Sequence, residues 1–174
     1  MENQPLVLLL TMQDKFQLNR GYILVESLIA ITIVVVGLLG IFSLLSRSLS
    51  LNRVVADRFV AAYLAGEGIE LVKNSIDNNI LEGKPWNEGL ASGDYEADFH
   101  DTGLQTDLHR TLRLDPNTGA YSYTETSPTN FRRTIHIDVS RDGEEITVGS
   151  RVAWLTRGGG KFNINLEEHL FNWR

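Results

Sequence analysis

One carboxylate, Glu26, lies near the start of a long apolar run, and its placement points most directly to chemistry. The run belongs to the segment NRGYILVESLIAITIVVVGLLGIFSLL, residues 19–45, which is almost wholly apolar after its fourth residue. Ionisable side chains are costly inside a bilayer and generally have a function there. Glu26 is therefore a candidate functional residue.

Two simpler interpretations of Glu26 stay open. A carboxylate in the first turns of a helix is favoured by the helix dipole. A long polar side chain near the end of a membrane span can also extend toward the lipid headgroups. The preceding Arg20 and Gly21, and the twenty residues without an ionisable group that follow, favour a specific role for this position.

Other residues that could bind metal or phosphate do not have the spacing that such sites need. The four histidines, at positions 100, 109, 136 and 169, lack metal-ligand spacing. The stretch RGGGKF, residues 157–162, lacks the first glycine and the hydroxyl residue of a phosphate-binding loop, and we interpret it as a strand connection. The acidic turns DPNTG and SRDGEE lack the ligand spacing of a calcium loop. We therefore expect no catalytic residues, no bound metal, no cofactor and no enzymatic activity.

Composition limits the remaining classes. The chain has 174 residues and a formal net charge of -6, which fits one domain with an appendage and argues against a nucleic-acid partner. It has no cysteine, so a disulfide-built secreted scaffold is excluded. Five aromatic residues are expected in the core or on strand faces rather than in a binding platform: Trp86, Tyr121, Tyr123, Trp154 and Trp173.

The uncharged run is long enough to cross a membrane. Residues 27–46 contain no ionisable side chain, and twenty helical residues span roughly 30 Å, the thickness of the hydrocarbon core. A buried helix of a soluble domain is one alternative, but such a helix would show a polar face. A cleaved secretory signal is another, but its apolar region would be shorter and would end in small residues.

An amphipathic helix follows the span. Apolar residues recur at steps of three, four and seven, as expected for one helical face: Leu51, Val55, Phe59, Ala62, Ile69, Val72, Ile76 and Ile80. No proline interrupts residues 22–80, so we predict one continuous helix. Gly66 and Gly68 are expected to let another backbone approach closely.

The last ninety residues have the pattern of a small sheet. Proline and glycine in GKPWNEGLASG, residues 83–93, end the helix, and short alternating runs follow. They lie at residues 95–99, 108–114, 121–123, 131–139, 146–154 and 162–166. We predict an antiparallel meander of about four to six strands whose apolar face covers the helical stripe.

The segment around Glu26 resembles the N-terminus of type IV prepilins and of the pseudopilins of type II secretion. That family has a leader ending in a basic residue and glycine, then an aromatic residue, three apolar residues, a glutamate and a long apolar run. Here Arg20 and Gly21 end the leader, Tyr22 stands where phenylalanine is usual, and Glu26 is the acid. The motifs AAYLAGEGIELVKNSID and HLFNWR are similar to a subset of minor-pilin-like proteins.

The resemblance implies a pilin-like α+β fold in four parts. Residues 1–21 would form a leader that is removed, with Lys15 and Arg20 as its basic residues. Residues 22–46 would form the transmembrane helix and later the filament core, residues 47–81 the packing helix, and residues 82–174 the sheet domain. The leader is long for the family, and a start at Met12 would give one of ordinary length.

The resemblance also implies partners and a location. A membrane prepilin peptidase would cut between Gly21 and Tyr22 and methylate the new amine of Tyr22, and Glu26 would pair with such an amine. The subunit would wait in the lipid of the inner membrane, N-terminus in the cytoplasm, until the assembly platform adds it to other pilins in a filament. The count of lysine and arginine around the span leans slightly against that orientation, which rests on the resemblance alone.

A second function remains open. The same helix would anchor a stationary single-pass membrane protein whose extracytoplasmic sheet domain binds a ligand. Within the filament class, a minor pilin is our first expectation, ahead of a pseudopilin or a major subunit.

Overall fold

The chain is an α+β protein. A computed structural model describes residues 4–101, 103–156 and 159–172, and their side chains from residue 21 onward. Within these residues, one long helix precedes eight strands: α1 (Gln4–Leu81), β1 (Gly93–Glu96), β2 (Gln105–Thr106), β3 (Arg113–Leu114), β4 (Tyr121–Ser122), β5 (Ser127–Pro128), β6 (Arg132–Val139), β7 (Glu145–Leu155) and β8 (Lys161–Phe171). The chain divides into two compact units, Met1–Asn52 and Arg53–Arg174.

In the first unit, α1 exposes apolar side chains all round. The large apolar side chains of residues 22–51 are 48–72% exposed, and Ser27 and Thr32 donate their hydroxyls to backbone carbonyls one turn earlier. Such back-bonding satisfies a hydroxyl without a polar environment. This part of α1 is long and apolar enough to cross a membrane, so the chain is compatible with a single-pass membrane protein.

The second unit is built on a five-stranded antiparallel sheet with strand order β2-β1-β6-β7-β8. The register places Ile135 opposite Ser150 and Ile137 opposite Val148, all four side chains buried. Side chains two apart on a strand share a face, and these buried residues lie two apart on each strand. The alternation predicted for β6 and β7 is therefore confirmed. A separate three-stranded sheet has the order β4-β3-β5. The described residues therefore form two sheets with eight strands, whereas the prediction was one meander of about four to six strands.

Two of the predicted strands are shorter than their alternation indicated. β1 ends at Glu96 because the backbone turns at Asp98, whose carboxylate accepts the N–H of His100. The run 108–114 contains only the two residues of β3, because Asp107 accepts the N–H of His109 and His109 has a φ of +63°. Such local side-chain bonds favour turns over strand pairing.

The helix and the five-stranded sheet enclose two apolar clusters, as predicted. The first contains Ile69, Val72 and Ile76 of α1 with the buried residues of β6 and β7. The second contains Ala61, Leu64 and Ala65 of α1 with Leu112, Tyr123, Phe131, Val152 and Trp154. Trp86 and Tyr121 pack at the edges of these clusters, as predicted for the aromatic residues, while Trp173 lies outside the described residues.

The predicted helical stripe is correct in its second half and wrong in its first. Ile69, Val72 and Ile76 are buried, but Leu51, Val55 and Phe59 are 50–74% exposed. The buried stripe begins at Ala61. Phe59 and Ala61 are two residues apart and so point to nearly opposite sides of a helix with 3.6 residues per turn.

Of Gly66 and Gly68, only Gly68 is closely approached. A Cβ at Gly68 would lie 2.3 Å from Ser150 Oγ and 3.0 Å from Arg133 Cδ, whereas a Cβ at Gly66 would have nothing within 4 Å. The close approach is therefore made by side chains of the sheet and not by a second backbone.

Candidate functional site

Gly21, Tyr22 and Glu26 all lie on α1 and are exposed. Tyr22 and Glu26 are four residues apart, which places them one turn apart on one face. Glu26 makes no hydrogen bond or ion pair with any residue that the structure describes. The side chains of Lys15 and Arg20 lie outside the described part of the chain.

This exposed segment has one carboxylate and an adjoining surface of apolar side chains. In lipid or against other apolar helices, an unpaired carboxylate would be strongly disfavoured. A cation at the position of the Tyr22 backbone nitrogen would lie about one helical turn from it. The arrangement is therefore suited to bind an amine from this or a neighbouring chain.

A buried arginine, which the sequence analysis missed, joins α1 to the sheet. Arg133 of β6 is fully buried and donates from Nη1 to the Leu64 carbonyl oxygen at 3.0 Å. Its Nη2 donates to the Ala97 carbonyl oxygen, and its Nη1 lies 3.2 Å from Glu67 Oε2. A buried guanidinium requires such partners, so it holds the helix in one register on the sheet.

Buried carboxylates organise the connection between the two sheets. Glu96 is fully buried and accepts both the backbone N–H and the Nε of Arg110, each at 2.7 Å. The Arg110 guanidinium lies 4.3 Å from the centre of the Tyr123 ring. Burial of that ring raises the pKa of Tyr123 to about 12. Asp98 accepts the backbone N–H of Tyr123 at 2.9 Å. These contacts serve the fold, since each carboxylate oxygen of Glu96 and Asp98 accepts a hydrogen bond from the protein itself.

The structure brings each histidine against a carboxylate. His100 lies 3.9 Å from Glu125, His109 lies 3.0 Å from Asp107, His136 lies 2.7 Å from Asp94, and His169 lies 2.6 Å from Glu145. The hydrogen bond to Glu145 raises the pKa of His169. No group of three or more metal-ligating side chains occurs in the described ranges.

Two of these pairs line one groove on the sheet face that points away from α1. The groove has a volume of about 460 Å³ and includes Asp94, His136, Asp107, His109 and Arg132. Asp107 is almost fully buried and accepts hydrogen bonds from Arg132 and Thr134, each at 3.1 Å. Burial raises the pKa of Asp107, but the hydrogen bonds to its carboxylate, led by those from His109, together outweigh burial and hold that pKa well below its usual range.

The two acidic turns close on themselves. Asp115 accepts the N–H of Asn117 and the hydroxyl of Thr118, at 2.9 and 2.7 Å. Asp142 accepts the hydroxyl of Ser140 at 2.6 Å. These hydrogen bonds lower the pKa of both carboxylates. In the glycine-rich connection, the N–H of Thr156 donates to the Gly160 carbonyl at 3.0 Å, while residues 157 and 158 lie outside the description.

No family model, no curated protein and no solved structure matches the chain.

Proposed function

We propose that this chain is a structural subunit, most similar to a minor pilin, of a type IV pilus or a type II secretion pseudopilus. It has a pilin-like fold, is cut after Gly21 by a prepilin peptidase and is methylated on the amine of Tyr22. It then enters a filament through its apolar helix, with Glu26 as the partner of an amine.

One observation carries the proposal: residues 27–46 of α1 expose only uncharged side chains, and they directly follow the Arg20–Gly21–Tyr22 sequence and Glu26. A surface of this kind needs lipid or other apolar helices around it. Before assembly, the lipid of the inner membrane supplies that environment, with the N-terminus in the cytoplasm. Within a filament, neighbouring subunits supply it.

Glu26 has a defined part in this scheme. An unpaired carboxylate is costly in an apolar filament core, and the amine released by the cut at Gly21 removes that cost when the two pair. An intrachain pair and a pair between subunits both fit the four-residue spacing. Pairing between subunits would also select one axial register, because displaced subunits would leave both charges unpaired.

The cut itself is tested on the full chain in cells with and without a prepilin peptidase. We expect the mature N-terminus to be Tyr22 only where the peptidase is present. Gly21→Ala, which adds one methyl group, should slow the cut, and Gly21→Leu should block it. Normal processing of Gly21→Leu would contradict the role of Gly21.

Glu26 is tested by recovery of the chain in sheared filaments. Glu26→Ala should be processed and remain in the membrane but be lost from filaments, while Ser27→Ala, the neighbouring control, should be incorporated as in wild type. An uncut N-terminus with unchanged localisation of Glu26→Ala would instead favour the stationary single-pass binding protein.

A further inference from the structure

The groove on the outer face of the five-stranded sheet owes its depth to one glycine. Gly149 lies on the interior strand β7, opposite His136 of β6 and Glu167 of β8. A Cβ at Gly149 would have no atom closer than 3.7 Å. The positions two residues away on the same face are Thr147 and Arg151, and both line the groove.

The two guanidinium groups of the groove differ in their partners. Arg132 Nη2 lies 3.1 Å from Asp107 Oδ2, so its charge is balanced within the protein. Arg151 is exposed and makes no hydrogen bond or ion pair with any described residue. Its cross-strand neighbours, Thr134 and Asn165, are uncharged. The positive charge of Arg151 is therefore available to a ligand.

The carboxylates of the groove have partners of their own. Asp107 binds Arg132, and Asp94 lies 2.7 Å from His136 Nδ1. Glu167 lies 3.4 Å from His169 Nε2. Because Nδ1 of His136 faces Asp94, the opposite ring nitrogen of that histidine is left for another contact.

We propose that this groove binds a small anion through Arg151, with the anion placed over Gly149 between His136 and Asn165. The ligand class is a carboxylate or a phosphate, because the planar guanidinium donates two parallel hydrogen bonds to either group. The groove faces away from α1, so it stays open while the helix side of the sheet is covered. This inference is independent of the proposed filament function.

The experiment is isothermal titration of the full chain, held in a neutral detergent, with inorganic phosphate, acetate and D-galacturonate. Arg151→Gln removes the free charge and keeps a polar side chain. Gly149→Val fills the groove with a residue that suits a strand. Arg141→Gln, which changes an exposed arginine outside the groove, is the matched control.

We expect saturable binding of phosphate or of the carboxylates, and the compound that binds identifies the chemical class of the anion. Arg151→Gln should weaken this binding at least about tenfold, the loss expected for a charged hydrogen bond. Gly149→Val should weaken it as strongly by filling the space that the anion would occupy, while Arg141→Gln leaves it unchanged. Both variants should melt within a few degrees of wild type. No saturable binding of any of the three compounds would overturn the proposal, as would binding that survives either groove variant or is equally lost in the control.

Discussion

The contact between α1 and the sheet depends on the buried guanidinium of Arg133, and Arg133→Met tests it. Methionine keeps most of the apolar stem but removes the donors to the Leu64 and Ala97 carbonyl oxygens and the ion pair with Glu67. Removing one member of a buried pair costs about 3–5 kcal/mol. Two terms reduce that cost here.

The first is that methionine need not be desolvated as a guanidinium is. The second is that Glu67, a quarter exposed, remains hydrated when its partner is lost. We therefore expect Arg133→Met to lower the free energy of unfolding by about 2–3 kcal/mol. For a chain of this size, that corresponds to a melting temperature lower by roughly 4–12 °C.

The assay is thermal unfolding of the full chain in detergent, followed by near-ultraviolet circular dichroism of the buried Trp154. Arg151→Met is the matched control, because this arginine on the neighbouring strand is exposed and unpartnered among the described residues. Exposed substitutions of this kind change stability by about 0.5 kcal/mol or less. An Arg133→Met protein as stable as wild type, or an equal loss in Arg151→Met, would refute the reasoning.

Three further predictions concern packing and titration. Gly68→Ala should lower the stability by about 1–3 kcal/mol because its Cβ would lie 2.3 Å from Ser150 Oγ, whereas Gly66→Ala should raise it by up to about 1 kcal/mol; equal melting temperatures would contradict this. The pKa of His169 should lie above the ordinary histidine value. Its pairing with Glu145 therefore adds stability below the ordinary pKa, and this stability is lost as the pH rises through the raised pKa of the folded protein. A proton NMR titration in which Glu145→Gln leaves this pKa unchanged would contradict the assignment. Tyr123 should ionise near pH 12, so the stability from its neutral ring is present below pH 10 and lost toward 12; ultraviolet titration showing ordinary ionisation of the folded protein would argue against its burial.

The long elements could be predicted from sequence because their patterns are local. Every second residue is buried from Arg133 to Ile137 of β6 and, apart from the added burial of Gly149, along β7, and residues 22–80 of α1 contain no proline. The short strands depend instead on hydrogen bonds between residues far apart in the sequence, such as the one from the Leu112 N–H to the Phe131 carbonyl at 2.8 Å. The face of α1 that packs on the sheet was predicted wrongly before Ala61, because apolar residues occur there on both sides of the helix.

The polar contacts could not be predicted from spacing. Arg133 is buried because carbonyl groups 69 and 36 residues away in the chain converge on it, and an arginine in an alternating strand carries no sign of such partners. His109 and His136 line one groove although 27 positions separate them. The N-terminal motif is different, because Gly21, Tyr22 and Glu26 lie within six residues and their relation is visible in the sequence itself.

The measurement that tests the proposed function most directly is intact mass spectrometry of the full chain from cells that contain a prepilin peptidase. The proposal predicts a mature protein that begins at Tyr22 and carries one methyl group on its amine, and an uncut chain when the peptidase is deleted. A protein that keeps residues up to Gly21 in the presence of the peptidase would contradict it.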